Sequence, residues 1–559
     1  MKRLAHTHLA GSVVLFVLAA TIIPSTTAVV VSLDGEALLA WKASLSDPAA
    51  LSNWTRAKPM CLSWDGLYCH LERVVKLRRP GLGLSGRLDT LDTSELQDLV
   101  TLDLSGNNLG GAIPAGISRL RSLELMDLSS NRFDGSILPG LGGMPNLVFL
   151  QLYNNSLVGG IPPQLCRLPL VRLLDISKNQ LAGELPSCLC DFRSLQYMDL
   201  SNNQFSGKLP DCWWNLQDLQ FMDLSNNSFS GKIPMAVPSQ TCSLRWLYLA
   251  RNSFIGAFPP VLRSCNSLET VDIGNNGFFG VIPPWIGSRF PLLKILSLRS
   301  NNFTGEIPPR LSRHLGLQLL DMASNSLTGS IPASFGSFTS MKYPKNLSAT
   351  ASLYWSKYDD KINIIWKGQE QIFQSATQSL AGIDLSANLL SRCIPKELTN
   401  LMGIQFLNLS RNHLSCGIPK DIGSLTYLES LDLSSNELLG GIPPSMSNLS
   451  WLNTFNVSNN LLSGKIPAGS QMQTLTDPSI YSNNSGLCGF PLETPCANTF
   501  LTQNERNGGN EDQWLYYSVI AGIVFGFWLW FGMLFIVKTW RCAFLLFVDG
   551  MQCKVMKKA

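Results

Sequence analysis

Leu195-Gln-Tyr-Met-Asp-Leu-Ser-Asn-Asn203-Gln-Phe-Ser-Gly-Lys-Leu-Pro210 is the stretch that decides the fold. Met198 and Leu200 alternate with polar neighbours, the two-residue period of a half-buried strand. The pattern returns with its Asn at Asn107, Asn131, Asn155, Asn179, Asn203, Asn227, Asn252, Asn276, Asn301 and Asn325, then at Asn388, Asn412, Asn436 and Asn460. The step is 24 residues, twice 25 and once 63. Each turn gives one strand, and successive strands stack as a parallel sheet whose leucines fill a core that one turn cannot close. Fourteen strands at about 4.8 Å predict a sheet edge of roughly 65–70 Å, long enough for an extended concave surface. The buried Asn needs its amide paired, and bonds to backbone groups of the loops above and below would form a ladder along the axis.

A period in this range with this Leu/Asn spacing is the signature of a leucine-rich-repeat solenoid. In the second half of each unit, such as Phe205-Ser-Gly207-Lys-Leu209-Pro210, Gly allows a tight bend and Pro stops a long helix. Units carrying L-x-G-x-I-P resemble the plant-type repeat. That resemblance implies an α/β solenoid with a second short sheet, twisted into a right-handed superhelix.

The organisation follows in chain order. Residues 1–28 read as a signal peptide: Lys2 and Arg3, an apolar run from Val13 to Ile23, and small residues up to Ala28. Residues 29–73 hold an amphipathic helix and the Cys61/Cys69 pair, and resemble the N-terminal cap of plant leucine-rich-repeat ectodomains; a cap is required to cover the first strand. A transition repeat and about ten units fill 74–337, an island insertion 338–377, four more units 378–470, and a C-terminal cap with Cys488 and Cys496 residues 471–500. The resemblance implies that each cap pair is bridged. An acidic linker, 501–514, leads to an uncharged run, 515–537, long enough to cross a bilayer with some tilt. Trp514, Tyr516, Tyr517 and Trp540 flank it as an aromatic belt, and the basic tail 538–559 is expected inside. The tail carries about +4 and the signal peptide +2 of a total of +4, so the rest is near −2 and offers no nucleic-acid surface.

Of the 14 cysteines, Cys166 and Cys190 occupy equivalent places in neighbouring units, as do Cys188 and Cys212 and, nearly, Cys393 and Cys416. Equivalent positions stack about 5 Å apart, which suits a disulfide. Bridges within these sets are therefore expected, with Cys242 and Cys265, offset by one position, a further candidate and free buried thiols the alternative. Nine N-x-S/T sequons are glycosylation candidates in an exported chain: Asn53, Asn154, Asn226, Asn302, Asn346, Asn408, Asn448, Asn456 and Asn483. Asn154 and Asn226 are expected on the concave face. No His lies at metal-ligand spacing, so neither metal nor cofactor is expected.

Asp-Leu-Ser, or a close variant of it, is the commonest reading on the concave strand. Departures concentrate at Phe149, Gln151 and Tyr153, at Arg245, Trp246, Tyr248 and Arg251, and at Arg299. Aromatic and Arg side chains are enriched at binding hot spots. The alternative is packing within an aromatic stripe, because Tyr197 and Phe221 continue it. The island adds Tyr354, Trp355 and Trp366, and its alternating Ile362-Asn-Ile-Ile-Trp366 run predicts a strand or hairpin. An island four units before the end resembles that of plant leucine-rich-repeat receptor-like proteins, where it contributes to ligand or co-receptor contact.

No kinase, HExxH or GxSxG motif is present, and the 22 residues after Val537 are too few for a kinase domain. The expectation is a single-pass plasma-membrane protein, not an enzyme, with its solenoid outside. The resemblance implies that it binds an extracellular peptide, protein or glycan and signals through a partner leucine-rich-repeat receptor kinase, in defence or development. Ser518, Gly522 and Gly526, four residues apart in the span, would let a partner helix approach. The alternatives are an inhibitor of secreted polysaccharide-degrading enzymes and a shortened, non-signalling paralogue or decoy.

Overall fold

The computed structural model describes residues 32–235, 242–343, 362–366, 369–373, 380–469, 471–496 and 511–536. The signal peptide, Asn346, Tyr354, Trp355, most of the acidic linker and the tail lie outside the described residues, as do the side-chain surroundings of Trp366.

The helix Leu33–Ser44 opens the first unit, capped by the Ser32 hydroxyl. It buries Leu38 and Trp41 against Trp54, which stacks on Trp64 at 5.5 Å. The Trp41 indole donates to the carbonyl of Arg87, tying the cap to the first repeat. Strand Leu67–His70 pairs antiparallel with Arg73–Arg78, and that strand starts the parallel stack. The cap thus hides core and supplies an antiparallel edge.

Among the described residues the main sheet has sixteen strands, two from the cap and fourteen from the repeats, all in simple sequence order. The repeat strands are three residues long, as in Leu173–Asp175, Tyr197–Asp199 and Phe221–Asp223. Their inward residues, Leu174, Met198 and Met222, are almost wholly buried. Each gives little on its own; the core is continuous from Leu38 in the cap to Leu487 near Cys488.

The Asn ladder explains how the loops are held. The Asn131 side-chain oxygen accepts from the Leu109 N–H at 3.0 Å, and its amide donates to the carbonyls of Leu104 and Leu128. Each rung therefore joins its own unit to the preceding one, rather than reaching to both sides. The ladder runs from Asn107 to Asn484, one rung beyond the last Asn expected from the sequence. The residue before each rung is left-handed, with φ of 56° at Asn154 and Arg251 and 53° at Asn226. Asn tolerates that conformation better than most residues. The Asn-Asn pairs that create several sequons thus have a structural origin.

The island leaves the stack undisturbed. Strand Leu319–Asp321 pairs directly with Gly382–Asp384, and the Leu327 N–H donates to Asn388 across 61 residues. Ile362–Trp366 and Gln369–Phe373 form the antiparallel hairpin expected within the island. A second sheet of eight strands, from Val158–Gly159 to Ser326–Thr328, runs beside the first. Gly207, at φ 80° in this sheet, turns the chain where a Cβ would meet the Glu184 side chain at 2.7 Å.

Among the described residues six disulfides join twelve cysteines. Cys61–Cys69 and Cys488–Cys496 close the two caps. In the array the pairing differs from the expectation: Cys166 bridges Cys188, and Cys190 bridges Cys212, each 22 residues apart. The reason is register. On the concave sheet partners are 24 residues apart, as Leu173 and Tyr197, but away from it they are 22 apart, as Ala182 and Gln204. The short 3-10 turns Pro163–Arg167 and Ser187–Asp191 carry the cysteines on the staggered side. Cys242–Cys265 and Cys393–Cys416 are also joined, each 23 apart.

The second unit, residues 497–559, is described only in its helix Glu511–Ile536. Ser518, Gly522 and Gly526 fall on one face of it by helical spacing. Among the described residues no helix is long and apolar enough to cross a membrane.

Candidate ligand-binding surface

The first residue of each repeat strand projects from the concave face, and parallel register aligns them. Phe149, Leu173, Tyr197, Phe221 and Trp246 are consecutive partners in this row. The two groups singled out in the sequence, around Phe149 and around Trp246, are thus the ends of one row four strands apart, about 19 Å at strand spacing. Tyr197 and Phe221 link them: their rings stack at 4.2 Å, and Phe221 lies 5.8 Å from Tyr248 and 6.5 Å from Trp246. Tyr248 also belongs to an apolar cluster with Ile295, Leu319, Leu380 and Phe406. Binding and packing are therefore not exclusive readings of this stripe. Phe221 and Trp246 pack on neighbours while remaining partly exposed. Phe149, Gln151 and Tyr153 are likewise half-buried.

A charged row borders the aromatic one. Arg245 lies 4.2 Å over the Trp246 ring and pairs with Glu269 through a two-pronged contact. Lys294 binds the other Glu269 oxygen at 2.6 Å. Burial alone would push the Glu269 carboxyl up; hydrogen bonds from Lys294 and Arg245 outweigh it and hold the group below the ordinary glutamate value. Glu269 is 7% exposed, whereas its two cations remain partly exposed and can meet a ligand. Sequence reading missed Glu269 and Lys294. They precede successive strands at the position of Arg245, so aligning units residue by residue gives the signal.

On the other side of the row, Arg299 and Asp321 pair at 3.0 Å. Burial, and next the charge of Asp384, raise Asp321 to about 7 against the pull of Arg299. Burial also raises Asp272 and Asp384. Arg251 sits at a left-handed loop position one unit before Asp272 and favours that carboxylate's charge. The Asp272 and Asp384 carboxylates also accept backbone N–H groups two residues on, at 3.0 Å. The Asp at this strand position, in Asp272-Ile-Gly as in Asp384-Leu-Ser, therefore has a structural task. Among the described residues no three metal-ligating side chains converge.

Asn154 and Asn226 lie beyond their strands in the left-handed loop positions, hydrogen-bonded to Ser130 and Asn202 of the preceding units.

Comparison with known proteins matches this architecture. A family model described as leucine rich repeat N-terminal domain matches residues 31–70. The leucine rich repeat model matches 98–120, 122–144, 146–168, 194–216, 218–239, 267–288, 292–314, 316–338, 403–425 and 427–449. Receptor-like protein EIX2 of Solanum lycopersicum is 52% identical over 204 residues, 35% of this chain and 20% of that protein. The chain is a leucine-rich-repeat protein similar to plant receptor-like proteins. The leucine-rich repeat receptor-like protein FASCIATED EAR2 of Zea mays is 39% identical over 111 residues, 18% of this chain and 17% of that one. The matched stretches span at most a fifth of these two relatives' length. Among solved structures, the plant peptide hormone receptor RGFR1 in complex with RGF2 superposes with a TM-score of 0.56 at 29% identity, over 68% of this chain and 58% of that one.

Proposed function

We propose that this protein binds an extracellular peptide on its concave face between Phe149 and Asp321, and passes the signal to a partner membrane kinase. The observation that carries the reading is the junction of the aromatic row Tyr197–Phe221–Trp246 with the Arg245–Glu269–Lys294 network. An extended chain laid across parallel strands would set apolar side chains on the rings and carboxylates or a chain terminus at the two cations. The similarity to a peptide hormone receptor solved as a complex supports a peptide over a glycan. Nothing in this arrangement pairs a nucleophile with a base, which favours binding over catalysis.

The run 515–537 would anchor the chain with residues 29–514 outside and 538–559 inside, and the face bearing Ser518, Gly522 and Gly526 would meet the kinase's span. The full chain, displayed on plant cells, is screened against extracellular peptide fractions, with Trp246→Ala and Arg245→Ala as comparators. Saturable peptide binding that both variants weaken supports the reading. Binding that both variants leave intact rejects this surface, and an N-terminal tag accessible only after permeabilisation rejects the topology.

A further inference from the structure

The second sheet carries an apolar patch that the concave-face reading does not use. Ile255, Phe279 and Val281 are 46%, 49% and 62% exposed on the neighbouring strands Ser253–Gly256 and Gly277–Val281. The next strand, Asn302–Glu306, sets Asn302 in register with Phe279 and Thr304 in register with Val281. Asn302 and Thr304 are the two polar members of one sequon, both exposed, with Phe303 between them buried.

This sequon differs from most others in the chain. The amide of Asn53 is engaged with the Ser63 carbonyl, that of Asn408 with Asp384, and that of Asn483 with Asn459. The amides of Asn154 and Asn226 are likewise engaged, with Ser130 and Asn202. Ser410, in the Asn408 sequon, and Ser458, the hydroxyl member of one more sequon, are buried. A glycan must leave the finished fold into solvent, and at Asn302 neither amide nor hydroxyl is buried. Side chains on adjacent strands stand about 5 Å apart, so the first sugar on Asn302 would lie beside the Phe279 ring. Pyranose rings have one apolar C–H face, which suits an aromatic neighbour. Exposed apolar patches on soluble surfaces usually have an occupant.

We propose that Asn302 carries an N-linked glycan whose core sugars cover Phe279 and Val281, so that the outer sheet is closed by carbohydrate and not by a protein partner. In the transfer, the oligosaccharide's C1–O bond to a lipid pyrophosphate breaks as C1 bonds to Asn302 Nδ2; one amide proton is lost and the lipid pyrophosphate leaves. The proposal rests on the export inferred above.

The test uses the full chain from plant membranes. Peptide mass mapping reads occupancy at Asn302 and at the exposed Asn448. Hydroxyl-radical footprinting reads Phe279, with the buried Phe303 as control, before and after enzymatic removal of glycans and in Thr304→Val, which abolishes the sequon but keeps a β-branched residue in the strand. Expected are a glycan at Asn302 and a rise in Phe279 labelling of at least about twofold on its loss, with Phe303 unchanged. A bare Asn302 beside a glycosylated Asn448 overturns the proposal and leaves export standing. Unchanged Phe279 labelling overturns it in favour of another occupant, and bare sequons throughout overturn export and this inference together.

Discussion

Arg299 and Asp321 form an ion pair of 3.0 Å on the concave sheet with both side chains buried, 10% and 3% exposed. Asp321 nonetheless sits high, at about 7, because burial and the neighbouring Asp384 charge outweigh Arg299. A carboxyl raised in the fold holds a proton that the unfolded chain has already released. Its contribution is therefore complete below the unfolded value, 3.8, and is lost as pH rises through about 7. Glu269 works the other way, contributing above its unfolded value of 4.5 and losing that contribution as pH falls. The full chain should melt at a higher temperature at about pH 5 than at about pH 7.5. Asp321→Asn should flatten that difference; an unaltered slope in the variant would dismiss the assignment.

Removing a ladder rung should cost more than an ordinary polar substitution. Asn388 is 5% exposed and joins the units on either side of the island through Leu327 N–H and the carbonyls of Met322 and Leu385. Asn388→Ala orphans those buried groups, each costing about 1–3 kcal/mol. Urea unfolding should lose at least about 3 kcal/mol, or split into two transitions at the island. The neighbouring exposed Leu389→Ala serves as the comparison and should change little.

The disulfide register makes a chemical prediction. Peptide mapping of the unreduced chain should recover Cys166 linked to Cys188 and Cys190 linked to Cys212, with no 166–190 or 188–212 species. The double variant Cys190→Ser with Cys212→Ser opens a loop of 22 residues and should cost about 3 kcal/mol. Recovery of the in-register pairs would mean that the outer turns stack without the two-residue stagger.

That stagger also marks where sequence reading stops. The concave strands, the Asn rungs and the two caps were legible because each repeats, or closes, a pattern written in side-chain polarity. The step between Cys166 and Cys190 is the repeat length, and repeat length is set on the concave side, where Leu173 faces Tyr197. How far the outer turns lean is a property of backbone geometry that no single unit displays. Glu269 was hidden for a related reason. Leu-Glu-Thr-Val reads as an ordinary strand entry until Arg245 and Lys294 are laid beside it in register. The aromatic row was visible, but the choice between packing and binding was not, because Tyr197 and Phe221 stack on one another along a face that also meets solvent.

The surface itself yields the last prediction. Once a peptide that binds the full chain is in hand, Trp246→Ala should weaken it by about 30-fold, the ~2 kcal/mol typical of a hot spot. Glu269→Gln is more informative. It leaves Arg245 and Lys294 without their shared carboxylate, so a ligand bearing an acidic group should gain affinity while one bearing a basic group should lose it. His413→Ala, on an outer strand and paired with Glu437, should alter neither. Isothermal titration across these variants at two salt concentrations separates the outcomes, because the Glu269→Gln effect must shrink as salt screens the exposed cations. An effect of Glu269→Gln that ignores both ligand charge and salt would assign the network to holding the sheet edge, and would move the ligand elsewhere on the solenoid.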